Sequence, residues 1–288
     1  MLGIIGGTGL YDLPGLQERR TVMVTTPFGE PSAPLVLGRL ADQDLVFLPR
    51  HGIGHRWSPT DLPYRANIYA LKEIGVTHLL SVSAVGSLKP EIEPHHLVVP
   101  DQVIDRTTHR PRTFFDHGIV AHVGIAEPYC AEFRSAVISA AETTGQTIHR
   151  GGTYVCIEGP QFSTKAESAL HRSWGASVVG MTAMPETRLA REAELCYATL
   201  AMVTDYDVWH ESGEIVSVEV VMRTLRQNVE AGRQVIRSLA EDGLAGGPCV
   251  CHEALAGAIT TDVTMIARQT RDRLGILVGR YLPEGPAS

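Results

Sequence analysis

No apolar run in this sequence reaches the roughly 18–20 residues that a helix needs to cross a bilayer. No charged leader with a short apolar stretch precedes the first strand-like segment, so the expected location is the cytoplasm, with no membrane partner. A basic excess is missing as well. The 25 lysines and arginines face 32 acids, for a net charge of −7. This argues against a nucleic-acid partner held by a general basic surface, while permitting a local basic pocket. Cysteine is sparse, five in 288 residues, which excludes a disulfide-dense scaffold. Cys130, Cys156 and Cys196 lie in apolar or mixed segments and read as small buried hydrophobes. Cys249 and Cys251 stand two apart in a polar stretch. With no second ligand pair at zinc-like spacing they read as free thiols or a local disulfide, and no metal is expected.

The usual nucleotide signatures are also lacking. The chain opens with "LGIIGGTGLYD", a strand-like run that breaks into glycines. The dinucleotide fingerprint requires a third glycine, and Gly7-Thr8-Gly9 is followed by Leu10, Tyr11 and Asp12. The P-loop requires a lysine, and none follows. A short nest of backbone N–H groups remains, with the Thr8 hydroxyl at its tip, suited to one small oxyanion. Taken alone, the loop reads as a tight turn after an edge strand.

What is present is alternation. Hydrophobic residues make up 44% and charged residues 20% of the chain, the balance of a globular protein. Short β-branched or apolar runs at Leu45–Leu48, Thr77–Ser83, Leu97–Val99, Thr153–Ile157, Ser177–Val179 and Tyr197–Val203 predict strands. Helices are expected between them. "YRANIYALKEIG" and "AEFRSAVISAAETTG" each end on a capping glycine. "PETRLAREAEL" starts on Pro185. Ser217 to Leu239 carries the stripe Val218, Val221, Leu225, Val229 and Ile236, and Leu255 to Arg280 reads as a final helical arm. The expected fold is α/β, a single domain with a central mixed β-sheet flanked by helices. Residues 1–242 form its body and 243–288 a C-terminal helical extension.

Chemistry in such folds gathers where strands end. After the second of the chain's apolar strands comes "PRHGIGH", where Arg50 offers a planar fork for an oxyanion and His51 a further donor. His51 and His55 are four apart, but the glycines between them oppose a metal-binding helix. "SAVGSL" lets backbone approach a ligand closely, or is a close-packed turn. In "GMTAMPE", Thr182 stands at a helix start that attracts anions, or serves only as an ordinary helix-start residue. "TDYDVW" sets Asp205 and Asp207 two apart, on one side of an extended chain, where like charge raises one pKa and makes a proton donor. An isolated D-x-D is otherwise a turn with two solvated acids. In "IEGPQFSTKAES" Thr164 and Glu167 fit a capping box, and Phe162 has a ring face to offer a planar ligand. No serine elbow, catalytic-cysteine context or lysine nucleophile accompanies these groups. The set fits an enzyme in which bound phosphate attacks and the protein supplies an anion cradle and an acid.

The segments "IIGGTGL", "TPFGEPSAPL", "RHGIGH", "SAVGSL", "DQVIDRTTHRP", "IEGPQFSTKAES", "GMTAMPE" and "ELCYATLAMVTDYDVW" run in order through residues 3 to about 240. In this the chain resembles the purine nucleoside phosphorylase / methylthioadenosine phosphorylase family, most closely its 5′-methylthioadenosine branch. The resemblance implies phosphorolysis of a nucleoside to free purine and a ribose-1-phosphate, with inorganic phosphate as co-substrate and no cofactor. It implies that Thr8, Arg50, His51, Ser83, Ala84 and Thr182 line the phosphate site. Met181 would then lie against the ribose, Phe162 and Ser163 border the base, and Asp205 and Asp207 meet N7 and the 6-amino group, as the catalytic pair. His55, His122, Val218 and Val221 would surround the 5′ substituent, with His122 coming from a neighbouring subunit of a homotrimer. Gln161 replaces a frequent arginine. Other purine nucleoside phosphorylases, acting on methylthioinosine, 6-oxopurine nucleosides or another 5′-deoxyadenosine, are the alternatives. A non-catalytic nucleoside-binding module is the alternative of a different class.

Overall fold

Residues 1–7, 9–210, 217–244 and 247–282 are described by a computed structural model of the chain. The opening apolar run forms Leu2–Gly6 (β1), buried throughout because parallel neighbours flank it on both sides. Gln17–Val22 (β2), Leu35–Leu40 (β3) and Gln43–Pro49 (β4) pair antiparallel in that order. The outer strand, QERRTV, is polar and exposed over most of its length, a composition that protects an edge from pairing with another molecule. Tyr64–Glu73 (α1) ends as Gly75 takes a φ of +93°, the left-handed conformation that glycine adopts at least cost. Then follow His78–Ser87 (β5), Leu97–Val98 (β6), Gln102–Arg106 (β7), Ala131–Glu142 (α2), Ile148–His149 (β8) and Thr153–Ile157 (β9). Lys165–Ser173 (α3) starts on a complete Thr164/Glu167 capping box. Val178–Gly180 (β10), Ala183–Glu192 (α4), Cys196–Asp205 (β11), Val218–Glu241 (α5) and Arg268–Val278 (α6) complete the order.

These strands make one mixed sheet in the order β2-β3-β4-β1-β5-β10-β9-β7, with β11 on the other side of β5 and β6 and β8 beyond it. The protein is thus α/β with a large mixed sheet flanked by helices. Helices α1 and α4 pack against each other, and α2 and α5 lie together over β11. On α5, Ile236 of the expected stripe is fully buried together with Val235 and Leu239, worth about 1.5–3 kcal/mol per side chain. No described helix is long and apolar enough to cross a membrane.

One expectation is corrected and another is met. The arm from Leu255 to Arg280 is not one helix: a 3₁₀ turn at Val250–Glu253, a bridge from Ile259 to Ala121 and a second 3₁₀ turn at Val263–Met265 precede α6. The Asp262 side chain accepts the Thr264 N–H and stops helix growth there. Helix α4 is interrupted at Met184, whose φ and ψ of −118° and 137° are extended, so regular helix begins at Pro185 as its residue type favours. The arm still contributes to the core, with Leu255, Ile266, Leu274, Leu277 and Val278 packed against the α1 side of the sheet.

Candidate active site

The sheet opens a crevice along β5. Strand β1 pairs with β5 only through Ser81, and β10 takes over at Gly86 and Ser87 running the opposite way. Val82 to Val85 therefore have no strand partner on that side among the described residues, while β11 continues to pair with them on the other. A cavity of about 460 Å³ fills the gap, at the carboxyl ends of β1, β4, β5 and β11, where open α/β sheets place their ligands.

One end of the cavity is built around a buried arginine. Arg50 follows β4 and is 2% exposed. Its Nε and Nη2 donate to the two carboxylate oxygens of Glu186, at 3.0 and 3.1 Å. Nη2 also reaches Ser81 Oγ and Ile5 O, and Nη1 donates to Val82 O at 2.8 Å. Burial alone would lower the Arg50 pKa, and the Glu186 carboxylate more than offsets it, leaving the guanidinium above its usual range. Nη1 carries a second hydrogen with no acceptor among the described residues, and Arg50 lines the cavity. Beside it, His51 Nδ1 lies 2.9 Å from Trp57 O, so Nδ1 carries the proton. Burial, helped by Arg50 and His55, pushes this imidazole down to about 4. At neutral pH its free Nε2 is therefore an acceptor, which corrects the expectation of a donor. Ser83, Ala84 and Thr182 complete this end. Thr8 lies outside the described residues, though Gly7 before it lines the cavity.

The other end is acidic. Asp205 closes β11, and both its oxygens are engaged: Oδ1 accepts the Asp207 N–H at 2.8 Å and Oδ2 the Thr204 hydroxyl at 2.7 Å. Asp207 is not on an extended chain. Its φ of +50° turns it back over Asp205, and the two carboxylates share the cavity through this turn rather than through strand alternation. Gly86 makes the turn possible, because a Cβ there would come within 2.9 Å of Asp205 Oδ1. Both acids have raised pKa values. The leading cause is burial; the expected like-charge effect of Asp207 on Asp205 is present but is the smallest contribution. Ser163 and Met181 line this end, with Phe162 at the mouth.

The buried hydroxyls Ser83 Oγ, Thr182 Oγ1 and Ser163 Oγ, and the carboxylate oxygen Asp207 Oδ2, have no hydrogen-bond partner among the described residues. An unsatisfied buried polar group costs about 1–3 kcal/mol, and all four face the same cavity. The remaining wall is the first half of the α5 stripe, with Val218, Val221, Leu225 and Val229 facing in, while His55 stands at the entrance, stacked on His51 with ring centroids 4.2 Å apart. His122 does not reach the cavity of its own chain. It is exposed, with its backbone N–H bonded to Ala258 O.

A family model of the phosphorylase superfamily matches residues 1–241. The chain belongs to the phosphorylase superfamily. It is 51% identical over 283 residues to the S-methyl-5′-thioadenosine phosphorylase of Geobacter sulfurreducens, covering 98% of this chain and 99% of that one. The corresponding Koribacter versatilis protein is also 51% identical, over 99% and 98%. Among solved structures, a methylthioadenosine phosphorylase sourced from an antarctic soil metagenomic library has a TM-score of 0.90 at 46% identity, covering 96% and 98%. The Schistosoma mansoni methylthioadenosine phosphorylase in complex with adenine has a TM-score of 0.79 at 36% identity, covering 96% and 97%.

Around this phosphorylase cavity, residue types alone missed two supports. Glu186, fully buried, holds the Arg50 fork and accepts the Tyr197 hydroxyl at 2.8 Å. Arg110 ties the loops at the acidic end, donating to Glu158, Tyr64 Oη and the Met181 and Met184 carbonyls. A charged residue inside an otherwise apolar helical face was the available signal for Glu186. The cysteine reading also changes. Cys130 and Cys196, expected to be mere core residues, stand beside Cys249 and Cys251, all four sulfurs within 4.8 Å of one another.

Proposed function

We propose that the protein is an S-methyl-5′-thioadenosine phosphorylase, converting that nucleoside and inorganic phosphate to adenine and 5-methylthioribose-1-phosphate. The observation that carries this reading is the group of four partnerless buried polar atoms on residues at the two ends of one cavity, Ser83 Oγ and Thr182 Oγ1 at one and Ser163 Oγ and Asp207 Oδ2 at the other, with an apolar wall between. Phosphate sits at the Arg50 end. The spare Nη1 hydrogen of Arg50 and the Ser83 and Thr182 hydroxyls donate to its oxygens, and His51 Nε2 accepts from its remaining P–OH. A phosphate oxygen then bonds to the anomeric carbon as the bond to N9 breaks, through a cationic ribose that the phosphate charge stabilises. The departing adenine gathers negative charge. Asp205, kept protonatable by burial, gives its proton to N7, and Asp207 accepts from the 6-amino group through Oδ2.

The same geometry selects the base. A 6-oxo purine would set an acceptor against Asp207, whereas a 6-amino group is a donor. Val218, Val221 and Leu225 suit an apolar methylthio group better than a 5′-hydroxyl, which would lose its hydrogen bonds there. Phe162 and Ser163 border the base and Met181 the ribose. We place the protein in a homotrimer, because His122 does not line its own cavity and Ile53 and Val120 leave apolar surface exposed. His122 of one subunit then completes the site of the next. The segment from 243 onward is an extension of the same domain, since its apolar residues enter the common core.

A substrate panel run with and without phosphate tests the reading. Adenine release from methylthioadenosine only when phosphate is present supports it, and hypoxanthine release as the preferred reaction overturns the assignment of the base. Sedimentation equilibrium tests the assembly: a fully active monomer rules the trimer out.

A further inference from the structure

Three separate parts of the chain meet at one point far from the cavity. Cys130 is the residue before α2, Cys196 is the first residue of β11, and Cys249 and Cys251 flank the start of the 3₁₀ turn in the C-terminal segment. Cys130, Cys196 and Cys251 are buried and Cys249 is half-buried. Their four sulfurs all lie within 4.8 Å of one another, and Cys130 Sγ and Cys249 Sγ are 3.7 Å apart. A tetrahedral zinc–thiolate site, with zinc–sulfur bonds of about 2.3 Å, has sulfur–sulfur edges of about 3.8 Å. We propose that these four cysteines bind one structural Zn²⁺ per chain.

The surroundings fit four thiolates around a dication better than two sulfur–sulfur bonds. Phe133 N–H donates to Cys130 Sγ at 3.5 Å from the first turn of α2, and Arg191 Nη1 donates to Cys251 Sγ at 3.3 Å. His252 Nε2 lies 3.5 Å from Cys196 Sγ. Donors aimed at sulfur stabilise thiolates and offset the net negative charge of a four-thiolate zinc centre. A disulfide sulfur gains little from an arginine. Four sulfur ligands this close together suit zinc better than the oxygen-seeking divalent ions. Sequence spacing conceals the site because it comes from three elements instead of two short pairs. Binding releases the thiol protons to water as the zinc–sulfur bonds form, with no oxidation.

The consequence is structural. Strand β11 starts at this cluster and ends at Asp205, about 30 Å away at the usual rise per residue. The metal therefore pins the C-terminal segment to the sheet without touching the reacting groups. That segment goes on to pair Ile259 with Ala121, the neighbour of His122.

The test begins with full-length protein prepared under reductant and loaded with zinc, then dialysed and measured by elemental analysis. One zinc per chain is expected, with Co²⁺ replacing it to give the strong visible absorption of a tetrahedral thiolate site. The Cys249→Ser/Cys251→Ser variant is expected to lose the metal and to unfold at lower temperature, while keeping its phosphorolytic rate at room temperature. Thiol counting on the wild-type protein covers the case of a variant that does not fold. All five cysteines are expected to react once the protein is denatured with a chelator. Reduced protein that retains no zinc, or a denatured chain in which only Cys156 reacts because the other four are paired as disulfides, overturns the proposal.

Discussion

Replacing Arg50 by alanine removes the fork from a pair in which both members are almost fully buried, 2% and 0% exposed, with contacts of 3.0 and 3.1 Å. Glu186 would keep the Tyr197 hydroxyl but lose its cation, leaving an uncompensated charge in the core. Breaking a buried pair in this way costs about 3–5 kcal/mol, a large share of the about 5–15 kcal/mol that holds a protein folded. At about 2–4 °C per kcal/mol, the melting temperature should fall by roughly 6–20 °C. Arg50→Ala should therefore lose stability and phosphate affinity together. The double variant Arg50→Met/Glu186→Gln separates the two effects. It removes both charges, so it should recover part of the stability lost by the single variant, yet it should still bind phosphate poorly. Thermal and denaturant unfolding at fixed protein concentration give the stability cycle, and initial rates against phosphate give the KM. A single variant that loses under about 1 kcal/mol, or single effects that add within about 0.5 kcal/mol, would refute the coupling between the anion site and the core.

Asp205→Ala should lower kcat on methylthioadenosine by about 10²–10⁴, the usual loss for a positioned general acid, with phosphate KM little changed. Asp205→Asn, whose amide donates to N7, should relax selectivity toward 6-oxo nucleosides, and a steady-state comparison of both substrates reads this directly. Val221→Ser should shift the ratio of kcat/KM values from methylthioadenosine toward adenosine by about 10-fold or more, the scale of one lost apolar contact. His51 has a folded pKa of about 4, below its ordinary 6.5. On acidification the unfolded chain takes up this proton first, so the His51 contribution to stability is present above about pH 6.5 and is lost as the pH falls toward 4. His51→Gln should flatten that slope, and unfolding curves collected across the interval would expose an unchanged slope.

Much of this architecture was legible because strand ends and helix stops have local causes. The runs around Leu45–Leu48, Thr77–Ser83 and Thr153–Ile157 became strands within a few residues of their expected limits, and Gly75 and Gly145 stop helices with positive φ. Strand β2 was not legible, since an exposed polar edge has no apolar alternation to announce it. The C-terminal arm misled because its apolar residues suited helical spacing while Asp262 and the bridge at Ile259 broke the backbone. At the site, the residue types were visible but their relations were not. The Arg50–Glu186 pair spans 136 positions, and the turn at Asp207 depends on space left by Gly86 on another strand. The sulfur cluster joins residues up to 121 positions apart, beyond the reach of any spacing rule.

The central claim is that one cavity holds phosphate against the anomeric carbon of a methylthio-adenine nucleoside. Its most direct test is a single-turnover reaction with ¹⁸O-labelled phosphate, following both products by mass spectrometry. The account predicts adenine and labelled 5-methylthioribose-1-phosphate in equal amounts, and no adenine when phosphate is withheld. Adenine released at the same rate without phosphate, leaving unlabelled free 5-methylthioribose, would contradict it.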